Sequence, residues 1–166
     1  MIAANQDPSN RSARFLKLLI FMMFATFAMT TDSVGTIIPD VIREFRLGMT
    51  AAGSFHYASM SGIGIAAILL GFLADRIGRR GSILLGLTLF CLTSALFAAG
   101  NSFGLFVVLL FVSGLGIGIF KAGALALIGD ISASTREHAA NMNLVEAFFA
   151  VGAIVGPALV SLLLEN

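Results

Sequence analysis

Three ionisable side chains stand alone in apolar sequence: Asp32, Lys121 and Glu146. A charge inside hydrocarbon is costly, so such a group turns toward a partner or a hydrated path. The chemistry on offer is binding of a polar solute or carriage of a proton. No Ser/His/Asp, Cys/His or metal-ligand cluster accompanies them, and an enzyme, a metal, a cofactor and a nucleic-acid partner are not expected. A second charged group is the stretch Gly71-Phe-Leu-Ala-Asp-Arg-Ile-Gly-Arg-Arg-Gly-Ser-Ile83, an acid and three arginines among glycines between two long apolar runs.

The elements that must hold these groups are membrane helices. Of 166 residues, 58% are hydrophobic and 11% charged, whereas soluble domains carry about a quarter charged residues. Crossing ~30 Å of hydrocarbon takes roughly 20 apolar residues. Five stretches qualify: Phe15–Ile38, Ala51–Ala74, Gly81–Gly100, Phe103–Gly129 and Asn141–Leu164. The expected fold is all-α and polytopic, one membrane domain over residues 15–164. Residues 1–14, polar and rich in Asn and Ser, are expected as a disordered cytoplasmic tail. The first apolar run is too long for a signal peptide core, and no small-residue cleavage site follows it. Cys91, the single cysteine, excludes a disulfide framework and is expected as a small buried side chain.

Lys and Arg in the loops set orientation. Arg11, Arg14, Lys17, Arg76, Arg79, Arg80 and Arg136 share one side, against Arg43 and Arg46 on the other, each near an acid, Asp40 or Glu44. The basic side is therefore expected to be cytoplasmic, with the N-terminus there and the chain's end, Asn166, outside. His56 and His138 fall on opposite sides. His56, near the outer end of span two, suits interfacial packing or a proton relay.

Lipid is as apolar as leucine, so helices associate through close backbone contact at small residues. Span two offers Gly53, Ser54, Ser59, Ser61, Gly62, Gly64 and Gly71; span four offers Gly114, Gly116, Gly118 and Gly123; span five offers Gly152 and Gly156, followed by Pro157. The run Gly114-Leu-Gly-Ile-Gly118 sits mid-span, not between a strand and a helix, so it belongs to packing and not to a nucleotide site. In the charged turn, Gly71 permits close approach and Gly78 permits reversal. Asp75 lies near the C-terminal end of span two, where the helix dipole disfavours an acid, and needs a partner. Arg79 and Arg80 hold the turn at the membrane surface.

By helical rise Lys121 and Glu146 fall at similar depth, and Asp32 on the order of 10–15 Å further out. Lys121–Glu146 is thus the expected ion pair, either lining a polar cavity or neutralising two buried charges. Asp32 has no basic partner at its depth. It suits a proton or substrate contact, or an acid hydrogen-bonded to Thr30, Thr31, Ser33 or Thr36.

The segment Gly71–Ile83 resembles the signature between helices two and three of the major facilitator superfamily, through Gly71, Leu73, Ala74, Asp75, Arg76, Gly78, Arg79, Arg80 and Ile83. The resemblance implies a first-half bundle covering helices one to five, in a bacterial inner membrane, and transport of a small organic solute by alternating access. It implies that the aspartate engages the other half of the transporter. It further implies that an arginine pairs with an acid near the end of helix four, for which Asp130 and Glu137 are the candidates, and that this network latches one face shut. Asn143-Leu-Val-Glu-Ala-Phe148 with Gly152-Ala-Ile is similar to helix five of fucose- and glucose-type sugar/proton symporters, which places Asn143 beside Glu146 in the cavity. Those symporters carry an acid where this chain has Lys121. Gly152-Ala-Ile-Val-Gly-Pro157 also resembles the helix-five motif of drug/proton antiporters, but no arginine of their helix-four motif occurs in Phe103–Gly129. Superfamily members carry twelve spans in two halves built of inverted repeats. The chain is therefore expected to be partial, to need a C-terminal half or another chain, and not to transport alone; a non-transporting membrane assembly module is the alternative.

Overall fold

The computed structural model describes residues 8–164, and every helix follows from an apolar run bounded by glycine, proline or polar residues. The elements are α1 (Pro8–Phe45), α2 (Met49–Leu69), α3 (Leu73–Arg76), α4 (Gly78–Ala99), α5 (Phe103–Asp130) and α6 (Thr135–Leu164). Part of the expected tail, from Pro8 to Arg14, is helical and continuous with the first span; residues 1–7 of that tail, and the chain's end at Asn166, lie outside the described residues. Four helices, α1, α4, α5 and α6, are long and apolar enough to cross a bilayer. α2 has 21 residues but is diluted by Ser54, His56, Tyr57, Ser59 and Ser61, and it does not reach the apolarity of the other four.

The apolar sequence of span two continues to Ala74, yet the helix stops at Leu69 and restarts as the short α3. Between them the bonding tightens to three-residue turns, Leu73 N–H to Leu70 O at 2.9 Å and Ala74 N–H to Gly71 O at 3.3 Å. Gly71 sits at this break.

α1 packs mainly on α6, while α5 lies between α2 and α4. Glycines make each seam. A Cβ on Gly152 meets the Ala25 carbonyl and one on Gly156 meets the Met29 backbone, so α1 and α6 run parallel with backbones in contact. Gly62, Gly114 and Gly118 do the same for α2 and α5, and Gly86 and Gly116 for the antiparallel α4 and α5. Gly64 faces open space instead. Ser82, wholly buried, donates from Oγ to the Ile119 carbonyl at 3.1 Å across the α4–α5 seam. Ser82→Ala should lower stability by about 0.6–1.5 kcal/mol, because the carbonyl keeps its helical partner and membrane hydrogen bonds are modest; detergent unfolding titrations measure this.

The core lies at the α1–α5 contact, where Phe24 and Phe27 meet Phe120 at ring separations of 5.5 and 4.8 Å. A second aromatic cluster gathers the helix ends far from the charged turn: Phe55 stacks on Phe103 at 5.1 Å and Phe97 on Phe106 at 4.5 Å, with Phe45 beside both α5 rings. Cys91, expected to be buried, is exposed on α4, because that helix turns only its Ser82–Gly86–Thr93 stripe inward.

Candidate functional site

The charged turn is organised by one guanidinium. Gly78, at φ +79°, takes the left-handed conformation that reverses the chain and places Arg79 in the first turn of α4. Arg79 Nη1 donates to Asp75 Oδ1 at 2.6 Å and to the Ala74 carbonyl at 3.1 Å; its Nε donates to Asp130 Oδ2 at 3.1 Å. The Ala74 carbonyl belongs to the last turn of α3, where carbonyls lack helical partners. Asp130 is the last residue of α5, where the dipole disfavours an acid and a cation compensates. One side chain thus ties α3, α4 and α5 together. Of the two candidate acids, Asp130 takes the arginine.

Glu137 is committed elsewhere. It forms a capping box at the start of α6: Ser134 Oγ accepts from Glu137 N–H at 3.2 Å, and Glu137 Oε2 accepts from Ala133 N–H at 2.9 Å. Its other oxygen pairs with Lys17 Nζ of α1 at 2.5 Å, with the Lys17 side chain 13% exposed. This α1–α6 link escapes a reading that treats Lys17 as a positive-side anchor; the capping pattern Ser134-Thr-Arg-Glu137 was the available signal. Arg76 lies over the Phe72 ring at 5.3 Å. Arg80 is exposed and stands outside the network, and Gly71 sits at the break before α3.

The mid-membrane groups are arranged differently from expectation. Among the described residues Lys121 makes no ion pair, with Glu146 or with any other acid. Its ammonium rests 4.4 Å from the centroid of the Phe149 ring and 5.6 Å from that of Phe24. The reason is packing: α5 and α6 touch sparingly, and α1 fills the space between them with Phe24. Among the described residues Asp32 has no basic contact, as its depth suggested, and it accepts from Thr31 Oγ1 at 3.2 Å. Asp32, Glu146 and Asn143 are exposed on faces that the five long helices leave uncovered, and Asn143 and Glu146 share one face of α6. A cavity of about 270 Å³ between α1, α4 and α5, lined by Thr30, Val34, Phe90, Thr93 and Leu109 among others, includes none of these residues.

A family model for the Major Facilitator Superfamily matches residues 18–166. The chain belongs to the Major Facilitator Superfamily. Superfamily relatives include the quinolone resistance protein NorA of Staphylococcus aureus, 26% identical over 144 residues, which cover 84% of this chain and 37% of NorA. The 4-hydroxybenzoate transporter PcaK of Pseudomonas putida is 29% identical over 126 residues, covering 76% of this chain and 28% of PcaK. The chain thus spans 37% of NorA and 28% of PcaK, well under half the length of either relative. Membership makes it a membrane protein of a transport family, in keeping with its all-α fold.

Proposed function

We propose that this chain is part of the N-terminal half of a secondary transporter that moves a small organic solute, unchanged, across a bacterial inner membrane by alternating access, with the charged turn cytoplasmic. It supplies one wall of the solute path, and further polypeptide completes it. Asp32, Lys121, Asn143 and Glu146 serve as that wall's polar groups, Asp32 for a proton or the solute and the others for the solute. Gly71, Asp75, Arg76, Gly78, Arg79, Arg80 and Asp130 serve as the cytoplasmic latch. The observation that carries the reading is Lys121, an ammonium within a membrane helix held against two aromatic rings.

The test is flux in inside-out and right-side-out vesicles bearing the transporter, with 4-hydroxybenzoate and a quinolone as probes and an imposed pH gradient. Gradient-driven flux is expected, with Asp32→Asn and Glu146→Gln each reducing it about fivefold, a factor within ordinary coupling energies. Unchanged flux in both variants would remove these residues from the path. A second reading, drug/proton antiport, is favoured by the NorA relationship and Gly152–Pro157; it requires the proton and the solute to move in opposite directions. A non-transporting assembly module requires no gradient-driven flux at all.

A further inference from the structure

We propose that Lys121, Phe149 and Glu146, with Phe24 and Asp32 of α1, form a recognition site for a small zwitterion built on an apolar or aromatic ring, its carboxylate paired with Lys121. This rests on the reading of these residues as part of the solute path, and it adds the class of solute.

Lys121 carries three N–H donors, yet among the described residues no carboxylate lies within the 4 Å of an ion pair. A cation inside a membrane protein without a contacting anion is costly. Phe149 and Phe24 offset part of that cost through their ring faces, and at 4.4 and 5.6 Å they leave the ammonium within reach of an incoming anion. Phe149, half-buried, offers an apolar floor for the solute's body, while Phe24, buried in the core, backs the ammonium from behind.

The acids lie to the sides of that floor. Glu146 is one turn before Phe149 on the same face of α6. Asp32 is eight residues beyond Phe24 in the sequence, about 12 Å along α1. Neither has a basic contact among the described residues. A singly charged anion gains Lys121 but meets two carboxylates. A singly charged cation gains the carboxylates but leaves the Lys121 donors unmatched and adds a like charge beside them. A solute with a carboxylate and an amine at opposite ends of a ring places each end against its complement.

Three probes that share one ring separate these cases: 4-(aminomethyl)benzoate, 4-methylbenzoate and 4-methylbenzylamine, measured by equilibrium dialysis against the whole transporter that contains this chain, in lipid nanodiscs. The zwitterion is expected to bind about tenfold more tightly than either single ion, the size of one charge-assisted contact. Lys121→Met should erase its advantage over 4-methylbenzylamine, and Lys121→Arg should restore it, which separates a lost charge from a misfolded bundle. Asp32→Asn with Glu146→Gln should erase its advantage over 4-methylbenzoate. If 4-methylbenzylamine binds most tightly, unmoved by Lys121→Met but lost with the acids, the solute class is wrong and the path assignment stands. If the probes bind alike in every variant, the path assignment falls with it. If no probe shows saturable binding, the class assignment is overturned, and the vesicle flux of Asp32→Asn and Glu146→Gln judges the path separately.

Discussion

Gly152→Leu is expected to abolish the folded bundle, whereas Gly64→Leu is expected to leave it intact. Both are glycines on membrane helices, so composition and propensity treat them alike. They differ in what a side chain would meet. At Gly152 even a Cβ runs into the Ala25 carbonyl, carbon and Cα; at Gly64 nothing lies within 4 Å. Overpacking a well-filled seam costs about 1–3 kcal/mol when side chains yield, but Ala25 presents backbone, which has no rotamer to change. The helices must separate, and separation forfeits a seam whose attraction is close van der Waals contact, because lipid supplies no hydrophobic drive between helices. Gly156 extends the same seam onto Met29, so α1 and α6 would part along two turns. Since α1 also carries Phe24 and Phe27 to Phe120, the loss spreads to the core. The check is the yield of monodisperse protein in mild detergent. Equal yields from the two variants would show that the α1–α6 backbone contact does not hold the bundle.

Much of this seam was legible beforehand, because glycine on an apolar helix has few reasons to be there. Gly62, Gly114, Gly116, Gly118, Gly152 and Gly156 all mark real crossings. Which face a glycine presents was not legible: Gly64 follows Gly62 by two residues and so points elsewhere. The charged turn was legible for a related reason. Its glycines and charges specify a reversal at Gly78 and an arginine that must find acids. The choice between Asp130 and Glu137 was open, since it depends on α6 beginning with a capping box that occupies Glu137. The Lys121–Glu146 expectation failed because depth fixes only one coordinate. Rotation about the helix axes decides whether two residues at one depth touch, and here Phe24 of α1 and Phe149 of α6 face the ammonium. The break at Leu70 was hidden because an apolar run shows what can enter lipid, not where the backbone bonds change register.

Two kinds of contact hold the opposite ends of the bundle. Far from the charged turn, Phe45, Phe55, Phe97, Phe103 and Phe106 form a cluster with no charge in it. At the charged end, helices are joined by Lys17–Glu137 and by Arg79 with its acids. Aromatic packing is short-ranged and holds one arrangement, whereas ion pairs in high dielectric can exchange partners at little cost. The charged end is the one suited to switching.

That makes Arg79 the residue whose loss should change function most among the turn residues. Arg79→Gln is expected to cut gradient-driven flux by roughly tenfold or more, within the range of conformational coupling, while leaving the yield of folded protein near wild type. The two expectations have separate grounds. Arg79 and Asp75 are 31% and 76% exposed, so solvent screens their attraction and the pairs add little to stability. Geometry is another matter. The guanidinium reaches the Ala74 carbonyl, Asp75 and Asp130 at once, which fixes α3 against the ends of both α4 and α5. Lysine cannot reproduce this, because its ammonium is a single point where the guanidinium is a planar fork; Arg79→Lys should therefore resemble Arg79→Gln more than wild type. Asp130→Asn keeps an acceptor for Nε and should be milder than either. Arg80→Gln should be silent, since Arg80 stands outside the network. Hydrogen exchange at the amides of Leu73–Ile77 reports the same ordering without a substrate: faster in Arg79→Gln and Arg79→Lys, slightly faster in Asp130→Asn, unchanged in Arg80→Gln. Exchange in Arg79→Gln indistinguishable from wild type would mean that α3 holds its place without the arginine, and the latch would have to be sought in Asp75 alone.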